Sequence, residues 1–402
     1  MLVRIADPHV IYSKKEKKFY CYGTKHYNNL HFAIYESSNL YDWDFVGYAL
    51  DLSDGDFVCD DWFWAPECYY NENNGYYYLF YSAKLKDEYL EKYFNDKNFK
   101  EGCKICVAVS KSPRGPFINL DGNPLDFSPY DDNYLDVDAI CQNVFGLDYP
   151  SKLLENSGIP KGTYVPFIDA NLFIDNGHIY LFASRNCYHN CLYDNRRGKF
   201  VEESTIIGIE LETDWWHQKE PVMPTIKKEY VREIDGRRKD KYLTIIDYKS
   251  NPQAWENASV EDYKRSNGER HNRRWHEGST TFTVKINGKK KYAMTYSCNY
   301  YGNEFYGVGI AFGDNPLGPY VKYENNPIIK QREDGFVNST GHGCVVEYEG
   351  ETYYIHHARQ LDSDRCLAIT KFKIIDENNI VVYKTEFANS LIFDNEDDGY
   401  TF

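Results

Sequence analysis

The sequence predicts an all-β fold, a five-bladed β-propeller with long loop insertions in blades two and three. Three observations predict it. A short aromatic strand that ends in a small residue recurs five times along the chain. Each copy follows a turn rich in Gly, Asn, Asp or Lys, and each turn follows another apolar strand, the signal of a hairpin. No long helical periodicity competes, and repeated antiparallel units of this kind need a closed ring to protect their edges.

In chain order, the copies are Phe19–Thr24, Tyr76–Ala83, Ile179–Ser184, Lys291–Ser297 and Thr352–Ala358. The strands before their turns are Ala6–Tyr12, Glu67–Tyr70, Ala170–Ile174, Ser279–Ile286 and Gly343–Tyr348. Third strands follow several copies, at His31–Ser37, Ile105–Ser110, Tyr306–Phe312 and Arg365–Thr370. Two of the turns after them are alike: Ser-Lys-Ser-Pro-Arg-Gly-Pro-Phe117 and Gly-Asp-Asn-Pro-Leu-Gly-Pro-Tyr320.

A chain of 402 residues is long for one hydrophobic core. A repeat architecture escapes that limit because each unit packs only on its neighbours. Residues 1–402 therefore read as a single propeller domain. The first strands open on Asp7, Glu67, Asp169, Glu277 and His342. A bare blade takes about 60 residues on this spacing, which leaves insertions at about 84–160 and 187–275. The first insertion holds Lys86–Phe94, suited to a short helix, and the second holds Trp215-Trp216. Long loops on a rigid scaffold often shape a pocket.

The net charge of −15 argues against nucleic acid and against a polyanionic substrate, since both need a clustered basic surface. A neutral, hydroxyl-rich ligand is compatible with it. The 38 tyrosines suit strands, and a few can stack on sugar faces while their hydroxyls stay wet. No apolar run is long enough for a membrane span, and the start shows no signal peptide. The 11 cysteines then read as buried thiols of a cytoplasmic protein. Cys103-Lys-Ile-Cys106 and Cys187–Cys191 have the spacing of zinc half-sites, but strand residues three apart face opposite sides.

In a propeller the innermost strands line a central channel, so residues at the same end of each strand converge. Several carboxylates brought together raise one another's pKa, a cost that a chemical role explains. Glycoside hydrolysis is such a role. It needs one carboxylic acid to protonate the leaving oxygen and one carboxylate to activate water or attack carbon, with their pKa values pushed apart.

Ala6-Asp7-Pro8, Trp64-Ala-Pro-Glu67, Ile168-Asp169-Ala-Asn-Leu-Phe173, His276-Glu277-Gly-Ser279 and Gly341-His342-Gly343 resemble, in this order, glycoside hydrolase family 43. Outside the two insertions, the resemblance covers nearly the whole chain. It implies an O-glycosyl hydrolase on a five-bladed propeller, inverting, acting on arabinosides, xylosides or related glycosides. Asp7 would be the general base, Glu277 the general acid, and Asp169 the residue that orients Glu277 and raises its pKa. For inversion, acid and base should sit ~6.5–9.5 Å apart. Ala170 and Ser279 stand where the family usually has Pro.

Trp64 and Phe167, which flank the motif strands, are candidates to stack on a sugar or to pack between blades. Arg359 is a candidate to hydrogen-bond a sugar or the carboxylates. His342 lies between two glycines, where the backbone can approach a neighbour closely. The resemblance places it on the channel as a substrate-binding residue and as the candidate for a bound calcium; no cofactor is expected to be essential. Glu67 is expected to support the fold.

The expected partner is an oligosaccharide, with no nucleic acid and no membrane. The leading expectation is an exo-acting α-L-arabinofuranosidase or β-xylosidase. A retaining fructosidase and a non-catalytic carbohydrate-binding propeller are the alternatives. Against the fructosidase patterns Asn-Asp-Pro, Arg-Asp-Pro and Glu-Cys, Ala6 precedes Asp7-Pro8, Arg-Asp-Pro is missing, and Gly278 follows Glu277.

Overall fold

A computed structural model describes residues 1–53, 57–99, 101–132, 162–185, 191–194, 199–261, 273–390 and 400–401, the backbone alone at 191–194, 199–200, 260–261 and 400–401. Five antiparallel sheets follow one another along the chain as blades. Blade one is Ala6–Ser13, Lys18–Tyr27, Leu30–Ser37 and Asp44–Asp51. Blade two is Cys59–Asn71, Tyr76–Leu85, Cys103–Ser110 and Ile118–Asn119. Blade three is Phe167–Asp175, His178–Arg185, Ile206–Leu211 and Leu243–Ile246. Blade four is Glu277–Ile286, Lys289–Cys298, Gly307–Gly313 and Tyr320–Lys322. Blade five is Val337–Tyr348, Glu351–Gln360, Cys366–Asp376 and Asn379–Phe387, with Tyr400–Thr401 as a fifth strand.

Side chains alternate across each strand, and both faces of a blade are covered by its neighbours. In blade one, Tyr20 and Tyr22 pack towards blade two, while Phe19 and Cys21 pack towards blade five. Similar apolar layers lie between blades two and three, three and four, and four and five. This two-sided burial accounts for strands that read as aromatic throughout. The ring closes where Val10, Phe19 and Tyr35 meet Ile355 and Ile369. Val3 and Ile5 add backbone bonds there: Leu367 N–H donates to Val3 at 2.8 Å and Ile5 N–H to Arg365 at 3.1 Å.

Every inner strand carries a bulge at the same depth. Asp7, Ala65, Asp169, Gly278 and His342 all have left-handed backbone, with φ of 49°, 46°, 57°, 56° and 43°. The residues just before them, Ala6, Trp64, Ile168, Glu277 and Gly341, pair with Thr24, Ser82, Ser184, Ser297 and His357. A bulge frees the backbone N–H of the extra residue from the ladder and re-aims its side chain. Here the side chain of the preceding blade takes up each freed N–H. Ala65 N–H donates to Thr24 Oγ1 (2.8 Å), Asp169 to Ser82 Oγ (2.8 Å), Gly278 to Ser184 Oγ (3.2 Å) and His342 to Ser297 Oγ (2.7 Å). Asp7 N–H closes the circle on His357 Nδ1 at 3.1 Å. One hydrogen-bonded belt thus runs around the channel mouth.

A second belt lies deeper. Cys68 N–H donates to His9 Nδ1, Leu172 N–H to the Tyr69 hydroxyl, Thr281 N–H to Asn171 Oδ1, and Val10 N–H to Cys344 Sγ. Glu67 belongs to this level, at the depth of His9 and Asn171. It is therefore not the blade-two counterpart of Asp7, as the spacing suggested; that place is held by Ala65. In blades two to five the inner strands also begin earlier than the hydrophobic pattern predicts, because pairing resumes ahead of each bulge.

The long spans between blades two, three and four are not uninterrupted insertions. Cys103–Ser110, Ile118–Asn119, Ile206–Leu211 and Leu243–Ile246 are blade strands lying inside them. The expected helix forms at Asp87–Phe94 and buries Leu90 and Phe94. Trp215 and Trp216 are buried against Tyr78 at the end of the channel away from the bulges, where Asn71 Nδ2 donates to the Trp216 carbonyl at 2.8 Å. Cys106 Sγ lies 3.7 Å from Cys59 Sγ. Cys187 and the Cys191 side chain fall outside the described residues.

Candidate active site

The bulges turn their side chains into a cleft of ≈ 610 Å³, open mouth included. Asp7, Asp169, Glu277 and His342 line it from blades one, three, four and five, and Trp64 is its wall on blade two. The left-handed backbone explains the residue types. Asp tolerates this region, and Gly278 meets no penalty there. A Cβ at Gly278 would also stand 2.7 Å from the His342 ring.

The three carboxyl groups meet different surroundings. Asp7 Oδ2 accepts from Thr24 Oγ1 at 2.8 Å. Its Oδ1 lies 3.2 Å from Arg365 Nη1, 3.3 Å from His357 Nδ1 and 3.4 Å from His342 Nδ1. Burial alone would raise the Asp7 pKa; Arg365 first, then the two histidines, outweigh it and hold the group well below the usual carboxylate range. Glu277 goes the other way. Burial, then the nearby charge of Asp169, pushes its pKa well above normal, although Tyr306 Oη donates to Oε1 at 2.7 Å. Asp169 is also raised, by burial before anything else, and its Oδ2 is buried without a hydrogen-bond partner among the described residues. One pocket therefore holds one carboxyl group pushed towards its charged form and two pushed towards their protonated forms.

Inserted chain completes the wall. Lys199–Ser204 runs parallel to Arg273–Trp275, pairing Glu202 with Arg273, Glu203 with Arg274 and Ser204 with Trp275. Arg273 Nε donates to Glu202 at 2.8 Å and Arg274 Nε to Glu203 at 3.1 Å. The arginines before Glu277 are thus matched to the insertion. This zipper anchors the approach to Glu277 and brings Ser204 and Trp275 to the pocket.

Among the other residues singled out from the sequence, Trp64 and His342 reach the pocket, and Phe167 and Arg359 do not. Phe167 is fully buried, with its ring 5.1 Å from that of Phe127. Its neighbour Ile168 lines the pocket, and successive strand residues point to opposite faces. Arg359 pairs opposite Asn338. The guanidinium at the site belongs instead to Arg365, beyond the next turn. Arg365, Tyr301, Tyr306 and Ser204 were not found from sequence, because they lie outside the inner strands that carry the recurring signal.

Among the described residues, no group of three or more His, Cys, Asp or Glu side chains could hold a metal ion. Beside His342, the Asp7 oxygens are taken up by Thr24 and Arg365, whereas calcium takes 6–8 oxygen ligands.

The family model described as glycosyl hydrolases family 43 matches residues 2–150 and 229–378. No curated protein matches the sequence. Among solved structures, a thermostable family-43 glycoside hydrolase is 27% identical at a TM-score of 0.62, with 97% of this chain and 94% of that one covered. An endo-1,4-beta-xylanase from Bacteroides thetaiotaomicron is 25% identical at a TM-score of 0.61, with 96% of each chain covered. An alpha-L-arabinofuranosidase from Lactobacillus brevis shares the fold at 14% identity and a TM-score of 0.56, over 94% of this chain and 93% of that one.

Proposed function

The chain belongs to glycosyl hydrolases family 43 and is a glycoside hydrolase, and we propose that it is an inverting, exo-acting enzyme of short arabino- or xylo-oligosaccharides. The observation that carries the mechanism is the opposed electrostatics of Asp7 and Glu277 in one cleft.

In this reading a water held at Asp7 attacks the anomeric carbon and passes a proton to the carboxylate. Glu277 gives its proton to the glycosidic oxygen as the bond to the leaving group breaks, and the bonding electrons stay on that oxygen. Asp169 stays close to Glu277, and its charge keeps the proton there until it is needed. Trp64 offers a flat apolar wall for the sugar ring. No step is assigned to a metal.

The exo preference rests on the walled cleft and on an expected cytoplasmic location, where short imported fragments are the available substrates. Aryl arabinofuranosides, xylosides, galactosides and fucosides, assayed with wild type and Glu277→Gln, test the substrate class. Turnover of an arabinofuranoside or xyloside that Glu277→Gln loses on poor leaving groups and largely keeps on the best ones supports the proposal. Cleavage of internal polysaccharide bonds with none of short aryl glycosides contradicts it.

A further inference from the structure

Beyond the three carboxyl groups, Tyr306 and His357 stand out because both are fully buried and both touch the reacting pair. Tyr306 comes just before the third strand of blade four, and its hydroxyl donates to Glu277 Oε1 at 2.7 Å. His357 comes from the second strand of blade five, and its Nδ1 accepts the N–H of Asp7 at 3.1 Å. The two rings lie parallel, 7° apart in plane, with centroids 5.7 Å apart. Burial, the largest influence, pushes the His357 pKa down to about 3, and its Nδ1 faces both the backbone N–H and the carboxyl of Asp7.

Gly341 explains how the tyrosine fits. A Cβ at Gly341 would sit 2.3 Å from the Tyr306 ring, so the first glycine of Gly341-His342-Gly343 makes room for that ring.

We propose that Tyr306, braced by His357, is the positioning residue that decides which oxygen of Glu277 carries the transferable proton. The reading rests on Glu277 being the general acid. With Oε1 accepting the Tyr306 hydrogen, the acidic proton belongs on Oε2. The same contact stabilises the carboxylate left after proton transfer. Because His357 also holds the backbone of Asp7, one pair of stacked rings ties the acid to the base across blades four, five and one.

The test is Tyr306→Phe, assayed on aryl glycosides that span good to poor leaving groups. The loss of kcat should reach about ten- to a hundredfold on poor leaving groups and nearly vanish on the best, which need no acid, with KM little changed. The alkaline limb of the kcat profile should move to higher pH, because a lost donor destabilises the charged form of Glu277. A merely structural role predicts the opposite: a looser, wetter site lets the Glu277 pKa fall. An equal loss on all leaving groups, or an alkaline limb that moves down, overturns the proposal.

Gly341→Ala, which pushes the Tyr306 ring aside, should reproduce the signature and serves if Tyr306→Phe folds poorly. Glu277→Gln separates the two levels of the argument. If it shows the leaving-group dependence and Tyr306→Phe behaves as wild type, only the positioning role fails. If Glu277→Gln shows none, the acid assignment fails first.

Discussion

Arg365 Nη1 lies 3.2 Å from Asp7 Oδ1 although 358 positions separate them in sequence. The contact spans the closure of the ring, from blade five to blade one, and the guanidinium is the largest influence holding the Asp7 carboxyl in its charged form against burial. Arg365→Gln should therefore raise the Asp7 pKa. The acid limb of the kcat/KM profile should move up by about one pH unit or more, since a neighbouring Arg lowers a carboxyl by 1–3 units. An unmoved acid limb would mean that Arg365 contacts substrate rather than tuning the base.

Asp7→Asn removes the base and leaves Glu277 in place. Activity should fall about 10²–10⁴-fold, and by a similar factor on good and poor leaving groups, because water must be activated in every case. This is the opposite pattern to that expected for Glu277→Gln. Rates for both variants across one series of aryl glycosides make the comparison.

Glu67 offers a stability prediction independent of catalysis. Burial, the largest influence, pushes its pKa from the ordinary 4.5 up to about 8, against the hydrogen bonds of Tyr69 and Asn171. The folded protein thus keeps a proton that the unfolded chain loses near pH 4.5. Stability contributed at this position is intact below that pH and declines as pH rises towards 8. Glu67→Gln removes the titration, so its melting temperature relative to wild type should climb between pH 5 and pH 8. A difference that stays flat with pH would contradict the buried-acid assignment.

The belt at the channel mouth predicts a coupled loss. Ser82 Oγ accepts the Asp169 N–H at 2.8 Å, and both residues are buried. Ser82→Ala strands that N–H and should cost about 1–3 kcal/mol of stability. It should also lower kcat, because the bulge that aims Asp169 loses its anchor. Denaturant unfolding and kinetics on one preparation check both effects; a stability loss with normal kcat would limit the belt to folding.

Much of this was legible in the sequence. Hairpins announced themselves through alternating aromatic strands and turn residues, and Asp7, Asp169 and His342 converge at equivalent bulges, with Glu277 one residue ahead of the bulge in its blade. The register was less legible. Glu67 was equated with Asp7 because it is the acidic residue of its motif, yet Ala65 holds the equivalent bulge. Pro follows both Asp7 and Ala65, and that shared feature could have revealed the alignment. Of the two readings of Phe167, packing between blades holds, and the strand's parity is what decides it. Tyr306 and Arg365 carry no periodic signal, because each joins the site from the edge of an outer strand that only the closed ring brings inward.

The measurement that tests the central claim most directly is the configuration of the first sugar released, followed by proton NMR before mutarotation. An Asp7-activated water attacking opposite the leaving group predicts that wild type releases the anomer inverted relative to its substrate. Release of the retained anomer would contradict the account, since it would require a carboxylate to bond to the sugar itself.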